Sequence, residues 1–186
     1  MLLHTSRATP VALDTTLLRP CCSPAGIGAS PDRKTLFVAT HDTAQIVSFR
    51  LESSTGAPTQ LNTLDTGLED PAYIATDLAG KYLITPFYAS GCVTTYPIDS
   101  SDGAARGSAL CHIDTNKHAH GCAIDPSNTH VFIPHAGGTY PHYPEGVRGG
   151  DCIHQFTLTA DGTLVHHSTA PTGILLVYRN EEPSAK

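Results

Sequence analysis

Eleven histidines occur in a chain that has only 11 lysines and arginines together. Two of them form the triplet His118-Ala119-His120, and His135 follows 15 residues after His120. The Gly- and Pro-rich stretch 137–151 adds Tyr140, His142, Tyr143, Glu145 and Arg148. Imidazole titrates near neutral pH and can take a proton from water as a general base. On a strand, the period of two turns both imidazoles of an H-x-H triplet to one side and the intervening Ala119 to the other. Three chemistries fit such a triplet: a general base facing a pocket, a metal site completed by His135 or His142, or polar residues that close a structure and do no chemistry. Zinc needs three or four protein ligands, and a single H-x-H pair falls short of that. No metal ligand and no cofactor are therefore assigned. Arg148 can pair with a phosphate or carboxylate, or stand solvated in its Gly-rich loop.

The rest of the composition narrows the partners. The chain has 186 residues and a net charge of −6 with His neutral. Nucleic acids and anionic membranes attract basic faces, so neither is an expected partner. Apolar residues make up 40% and charged residues 15%, enough for a core and too few charges for a disordered chain. No apolar run approaches the ~18 residues of a membrane helix. The N-terminus lacks the charged and long apolar regions of a signal peptide. A soluble, cytoplasmic setting is expected. The six cysteines include no C-x-x-C pair, and they are read as reduced, mostly buried thiols.

The elements that must position these residues show themselves as a repeat. Ile27-Gly28-Ala29-Ser30-Pro31-Asp32-Arg33-Lys34-Thr35-Leu36-Phe37-Val38 is one copy. Ile74-Ala75-Thr76-Asp77-Leu78-Ala79-Gly80-Lys81-Tyr82-Leu83-Ile84-Thr85 stands 47 residues on, and Cys122-Ala123-Ile124-Asp125-Pro126-Ser127-Asn128-Thr129-His130-Val131-Phe132-Ile133 a further 48. Ile46-Val47-Ser48-Phe49, Val93-Thr94-Thr95-Tyr96 and Ile153-His154-Gln155-Phe156 keep the same step if the third copy carries about 12 extra residues. Each copy has an apolar run, a polar turn, a β-branched or aromatic run, a loop, an alternating strand, a Gly-containing turn and a last strand. Four strands per ~47 residues is a β-propeller blade. An all-β fold of three such blades in an open, incomplete ring is predicted, with blades at about 25–64, 72–110 and 119–170 and an atypical tail at 171–186.

Strands within a blade run antiparallel. The segment entering the first strand therefore shares a face with the loop joining the second strand to the third. On that face fall Cys21, Cys22, His41, Asp42, Asp70, Tyr73, Phe87, Tyr88, Lys117, His118, His120, His135 and the stretch 137–151. The tight turns at Ser30, Asp77 and Asp125 fall on the other. His112, His166 and His167 belong to outer strands and are read as surface, and His130 as an exposed neighbour of a turn.

The segment Asp70-Pro71-Ala72-Tyr73-Ile74-Ala75-Thr76-Asp77, with Gly80-Lys81-Tyr82-Leu83 after it, resembles the lactonase-type seven-bladed β-propeller family. So does Lys117-His118-Ala119-His120, followed by Asp125-Pro126-Ser127-Asn128 and Val131-Phe132-Ile133-Pro134-His135. The likeness covers about residues 20 to 170, and its specific part is 70 to 135. The family includes bacterial 6-phosphogluconolactonases and fungal 3-carboxymuconate cyclases. The resemblance implies an axial pocket for a small-molecule lactone, with His120 as the catalytic base. His118, His135, Arg148 and Tyr73 are taken as substrate-binding. The family's later Pro-Arg-His segment has no counterpart after Ala170-Pro171, so its arginine and glutamate cannot be carried over.

Seven blades need roughly 330 residues, and known propellers use at least four blades. Three copies are thus expected to be a truncated form, with self-association through exposed blade edges and little lactonase turnover in isolation. Sugar-lactone hydrolysis of the 6-phosphogluconolactonase type is the leading expectation. The alternatives are a 3-carboxymuconate cyclase-like enzyme and a non-catalytic propeller fragment or interaction module.

Overall fold

The computed structural model describes residues 23–137 and 151–172. These hold strands and turns and no helix. The first sheet contains β1 (Pro24–Ala29), β2 (Thr35–Thr40), β3 (Gln45–Leu51) and β4 (Pro58–Asp65). The second contains β5 (Ala75–Thr76), β6 (Tyr82–Phe87), β7 (Cys92–Pro97) and β8 (Cys111–Asp114). The third contains β9 (Ala123–Ile124), β10 (His130–His135), β11 (Cys152–Leu158) and β12 (Leu164–Pro171). Each is four-stranded and antiparallel, with its strands in chain order. The all-β fold of three blades forming an open, incomplete propeller is the architecture observed. Residues 173–186 of the predicted tail and most of the stretch 137–151 lie outside the described residues.

Two of the three innermost strands are only two residues long. Isolated bridges at Pro71–Phe87 and Ala119–His135 carry the same antiparallel pairing towards the chain entry of their blades. Pro71 has no amide to give, yet Ala72 N–H reaches the Pro86 carbonyl at 3.0 Å and holds the segment in place.

Repeat-equivalent side chains make the turns. Asp77 is buried, and its carboxylate accepts from the amides of Ala79, Lys81 and Tyr82 at 3.1, 2.6 and 2.8 Å. Asp125 does the same for Thr129 and His130 at 3.0 and 2.8 Å. In the first copy the Ser30 hydroxyl accepts from Thr35 N–H at 2.9 Å. A short polar side chain that satisfies hairpin amides is what these positions need. Asn128 joins two such turns, its Nδ2–H donating a hydrogen bond to Asp77 Oδ2 at 3.0 Å and its Oδ1 accepting from Leu78 N–H at 2.7 Å.

The core lies between sheets. One cluster joins the first and second sheets through Phe37, Ala39, Ile46, Ile74, Leu83, Tyr96 and Ala105. The other joins the second and third through Ile84, Val93, Ala119, Val131, Ile133, Phe156, Leu158 and Leu164. Adjacent residues Leu83 and Ile84 thus serve opposite clusters, as the period of two requires. Ser48 Oγ accepts from Ala105 N–H at 3.1 Å, and Thr95 Oγ1 donates to the Gly162 carbonyl at 2.7 Å. Each hydroxyl satisfies a neighbouring sheet's backbone where water is shut out. The last strand β12 is largely exposed, and β4 is half exposed and half partly buried.

Two substitutions test this packing. Phe156 is fully buried between sheets, and Phe156→Ala should lower unfolding free energy by about 3–5 kcal/mol. Gly26 faces the Tyr73 backbone so closely that a Cβ would lie 2.7 Å from Tyr73 Cα. Gly26→Ala should therefore cost about 1–3 kcal/mol by overpacking. Chemical denaturation reads both, and a change below about 0.5 kcal/mol at either site would contradict the packing described.

Candidate active site in the axial cleft

The chain enters each blade next to the loop between its second and third strands. His41 N–H donates to Ser23 O at 2.8 Å, Tyr88 N–H to Asp70 O at 2.8 Å, and Ala136 N–H to His118 O at 2.9 Å. These are one hydrogen bond in three successive copies. Asp70 and His118 are both in the left-handed region, with φ of 62° and 68°. Asp and His are among the few non-glycine residues that enter it readily. At each boundary the loop residue of one blade meets the entry residue of the next. His41 forms an ion-pair contact with Asp70, and Tyr88 stacks on His118 with ring centroids 4.5 Å apart and planes 17° from parallel.

An open cleft of roughly 430 Å³ lies over these boundaries, lined by Pro24, Ala25, His41, Asp70, Ala72, Tyr88 and His120. Ala25, Ala72 and His120 are repeat-equivalent, so the third copy projects an imidazole where the first two carry methyl groups. His120 is exposed, and its ring stands edge-on to Tyr88, centroids 5.4 Å apart and planes at 78°. His120 N–H is held by the Pro134 carbonyl at 3.0 Å. The cleft thus presents an accessible imidazole, an aromatic wall and a carboxylate–imidazole pair. The imidazole can accept a proton, and the Tyr88 ring beside it is buried and flanked by His118 and His120. A second cavity, near Ser30, Asp32, Arg50 and the 99–103 turn, has its carboxylates occupied by turn amides, hydroxyls and Arg106.

The residues singled out in the sequence do not all meet. His118 and His120 flank one Tyr88 ring, but His118 is buried and only His120 lines the cleft. His118 Nδ1 lies 3.3 Å from the Ala136 carbonyl. The triplet is not a regular strand, because His118 has positive φ and only Ala119 bridges to β10. Tyr73 is 40% exposed beside β1 and is not among the residues lining the cleft. Phe87 is a core side chain. Lys117 turns its ammonium to the Ala89 and Ser90 carbonyls, at 2.5 and 3.0 Å. Arg148, Tyr140, His142, Tyr143, Glu145, Cys21 and Cys22 lie outside the described residues. His41, Asp70 and Tyr88 received no role from the sequence, although the blade geometry had put them on this face.

His135 is buried between the second and third sheets and is not among the residues lining the cleft. Its Nδ1 lies 3.1 Å from the Ile133 carbonyl and its Nε2 3.0 Å from Thr115 Oγ1. Burial, and then the neighbouring His154, push its pKa down to about 4, so it is neutral at pH 7. Burial also lowers His154, with His166 adding to it, and burial raises the Cys152 thiol beside Asp151. The four cysteines of the described residues are free thiols, Cys92 and Cys152 buried, Cys111 and Cys122 partly so.

Comparison with known proteins places this geometry. The chain is 29% identical over 105 residues to a 6-phosphogluconolactonase of Pectobacterium atrosepticum, covering 56% of the chain and 30% of that relative. It is 33% identical over 104 residues to the 6-phosphogluconolactonase of Serratia proteamaculans, again 56% and 30%. The chain therefore spans about 30% of the length of these relatives. Among solved structures, a protein of Lactobacillus plantarum superposes with a TM-score of 0.64 at 19% identity, over 78% of this chain and 41% of the other. The periplasmic gluconolactonase of Pseudomonas aeruginosa gives 0.52 at 19% identity, over 81% and 59%. At such identities these structures speak for the fold. Residues 5–140, most of the chain, match the family model for the seven-bladed β-propeller lactonases, and the chain belongs to that family.

Proposed function

We propose that the axial cleft opens a sugar lactone by hydrolysis, with 6-phosphogluconolactone as the substrate class and a cytoplasmic setting. The observation that carries this reading is the exposed imidazole of His120 over an open cleft that Tyr88 and His41 also line, in a chain whose relatives are named 6-phosphogluconolactonases. In this mechanism His120 takes a proton from water as the water adds to the lactone carbonyl. The tetrahedral oxyanion then needs a positive or hydrogen-bonding partner. Arg148 is assigned that role, or the holding of the substrate phosphate. The His41–Asp70 pair offers a second hydrogen-bonding group in the cleft lining. His118 braces Tyr88 from beneath and acts as a positioning residue.

The tests separate these roles. In any form of the protein that opens the lactone, His120→Ala should lower kcat by about 10²–10⁴-fold, the range for losing a general base. His118→Gln should cost less. Equal, small effects of the two changes would remove His120 from the chemistry. Comparative turnover of 6-phosphogluconolactone and 3-carboxymuconolactone distinguishes hydrolase from cyclase. A chain that accelerates neither reaction above the spontaneous rate would instead be an interaction module.

Self-association belongs to the same reading, since Ile27 on an innermost strand and Leu78 and Val165 elsewhere are at least half exposed. Sedimentation of the purified chain should show oligomers, and a monomer at all concentrations would refute that part.

A further inference from the structure

We propose that His135, Cys152 and His154 form a binding site for a divalent transition-metal ion of the zinc class, between the second and third blades and separate from the axial cleft. One ligand atom from each lies within 4.8 Å of the others. The β-ladder dictates this meeting. His135 ends β10 and Cys152 begins β11, and the two are directly opposed in register. His154 lies two residues along β11, so all three side chains share one face of the sheet. His135 and Cys152 are buried and His154 is half-buried. The donors are thus anchored in a rigid ladder and reachable from one side.

The repeat supplies its own control. The equivalent positions are Phe87, Cys92 and Thr94 in the second copy, and Thr40, Gln45 and Val47 in the first. Only the third copy replaces a buried phenyl by an imidazole and adds a second imidazole one pleat away. Packing alone is satisfied at this position by Phe87.

The surroundings suit a metal. An imidazole that ligates an ion needs an acceptor or orienting partner at its other nitrogen. His135 has the Ile133 carbonyl and the Thr115 hydroxyl at its two nitrogens. His154 has Asn116 Oδ1 at 2.7 Å from Nε2 and Thr169 Oγ1 at 3.1 Å from Nδ1. Whichever nitrogen turns to the ion, the other keeps a partner. Two imidazoles and a thiolate select zinc and its soft neighbours over magnesium or calcium. Zinc bonds of about 2.0–2.3 Å require the donors to close by roughly 1 Å, which rotation of His154 at the open side supplies. Binding replaces the Cys152 S–H proton by the metal–sulfur bond, and the proton goes to solvent. The fourth position is left to water or to His166, whose Nε2 is 3.4 Å from His154 Nδ1.

The test uses the full chain, stripped with chelator and titrated with cobalt(II) as the optical probe, with zinc content measured after dialysis. The expected result is one equivalent bound, with a sulfur-to-cobalt charge-transfer band that vanishes in Cys152→Ser. His154→Gln should weaken zinc binding by at least about 10–100-fold. His120→Gln should leave metal affinity unchanged, which separates this site from the H-x-H triplet. If Cys152→Ser does not fold, the half-exposed His154 makes His154→Gln the deciding variant. Absence of stoichiometric binding to the unmodified chain, or binding that His154→Gln leaves intact, overturns the proposal.

Discussion

Strands β6 and β7 have no solvent side. Leu83 and Tyr96 go to one neighbouring sheet, Ile84 and Val93 to the other. Apolar burial is worth about 25 cal/mol per Å² removed from water, and with no helix among the described residues it is another sheet that supplies that cover on each face. Every functional feature depends on this constraint. The cleft is a set of blade boundaries opening on one face, and the His135 cluster lies within a boundary. The polar atoms inside these contacts are chosen to match. Ser48, Thr95 and Asn62 each serve a backbone group of the adjacent sheet, with Asn62 Nδ2 donating to the Ala105 carbonyl at 2.7 Å.

Given those boundaries, function becomes a matter of which residue occupies a repeated position. Ala25, Ala72 and His120 occupy equivalent places, as do His41, Tyr88 and Ala136. The backbone delivers each to the same location relative to its own blade. The first copy contributes an imidazole from its loop, the second a phenol, and the third an imidazole from its entry segment. The cleft's chemistry is written in substitutions that the scaffold tolerates at the entry and loop positions of each copy.

The repeat was legible because turn residues and β-branched runs recur at the same spacing, and the physical need of each hairpin for a short polar side chain is visible at Ser30, Asp77 and Asp125. The face that gathers His41, Asp70, Tyr88 and His120 was legible too, since antiparallel strands alternate ends. The fate of single side chains was not. His135 was expected beside the substrate because it ends a strand on the cleft face, yet the pleat sends it between sheets. In the sequence His154 stands as a repeat landmark and Cys152 as one of six mostly buried thiols. Their meeting with His135 depends on which residue of β11 pairs with the end of β10 across the stretch 136–151, a register that local sequence does not reveal. A Cys-x-His on a strand opposite a strand-terminal His is the signal that was present. Blade geometry puts Tyr73 on the cleft face, but close approach of Gly26 sets its backbone against β1, and its ring is not among the residues lining the cleft.

The left-handed backbone at Asp70 and His118 has an evolutionary consequence. Asp70 lines the cleft and His118 is buried against Tyr88, and both are locked in place by the same cross-loop hydrogen bond. A β-branched or bulky aliphatic residue would be strained at either place, whereas Gly, Asn, Asp and His enter this conformation at little cost. The fold therefore restricts these two positions to a short alphabet, most of whose letters carry a polar or titratable group. Drift at these positions exchanges one reactive or hydrogen-bonding side chain for another more readily than it deletes them. A rim that samples acids, amides and imidazoles without unfolding is a route by which one scaffold acquires new substrates.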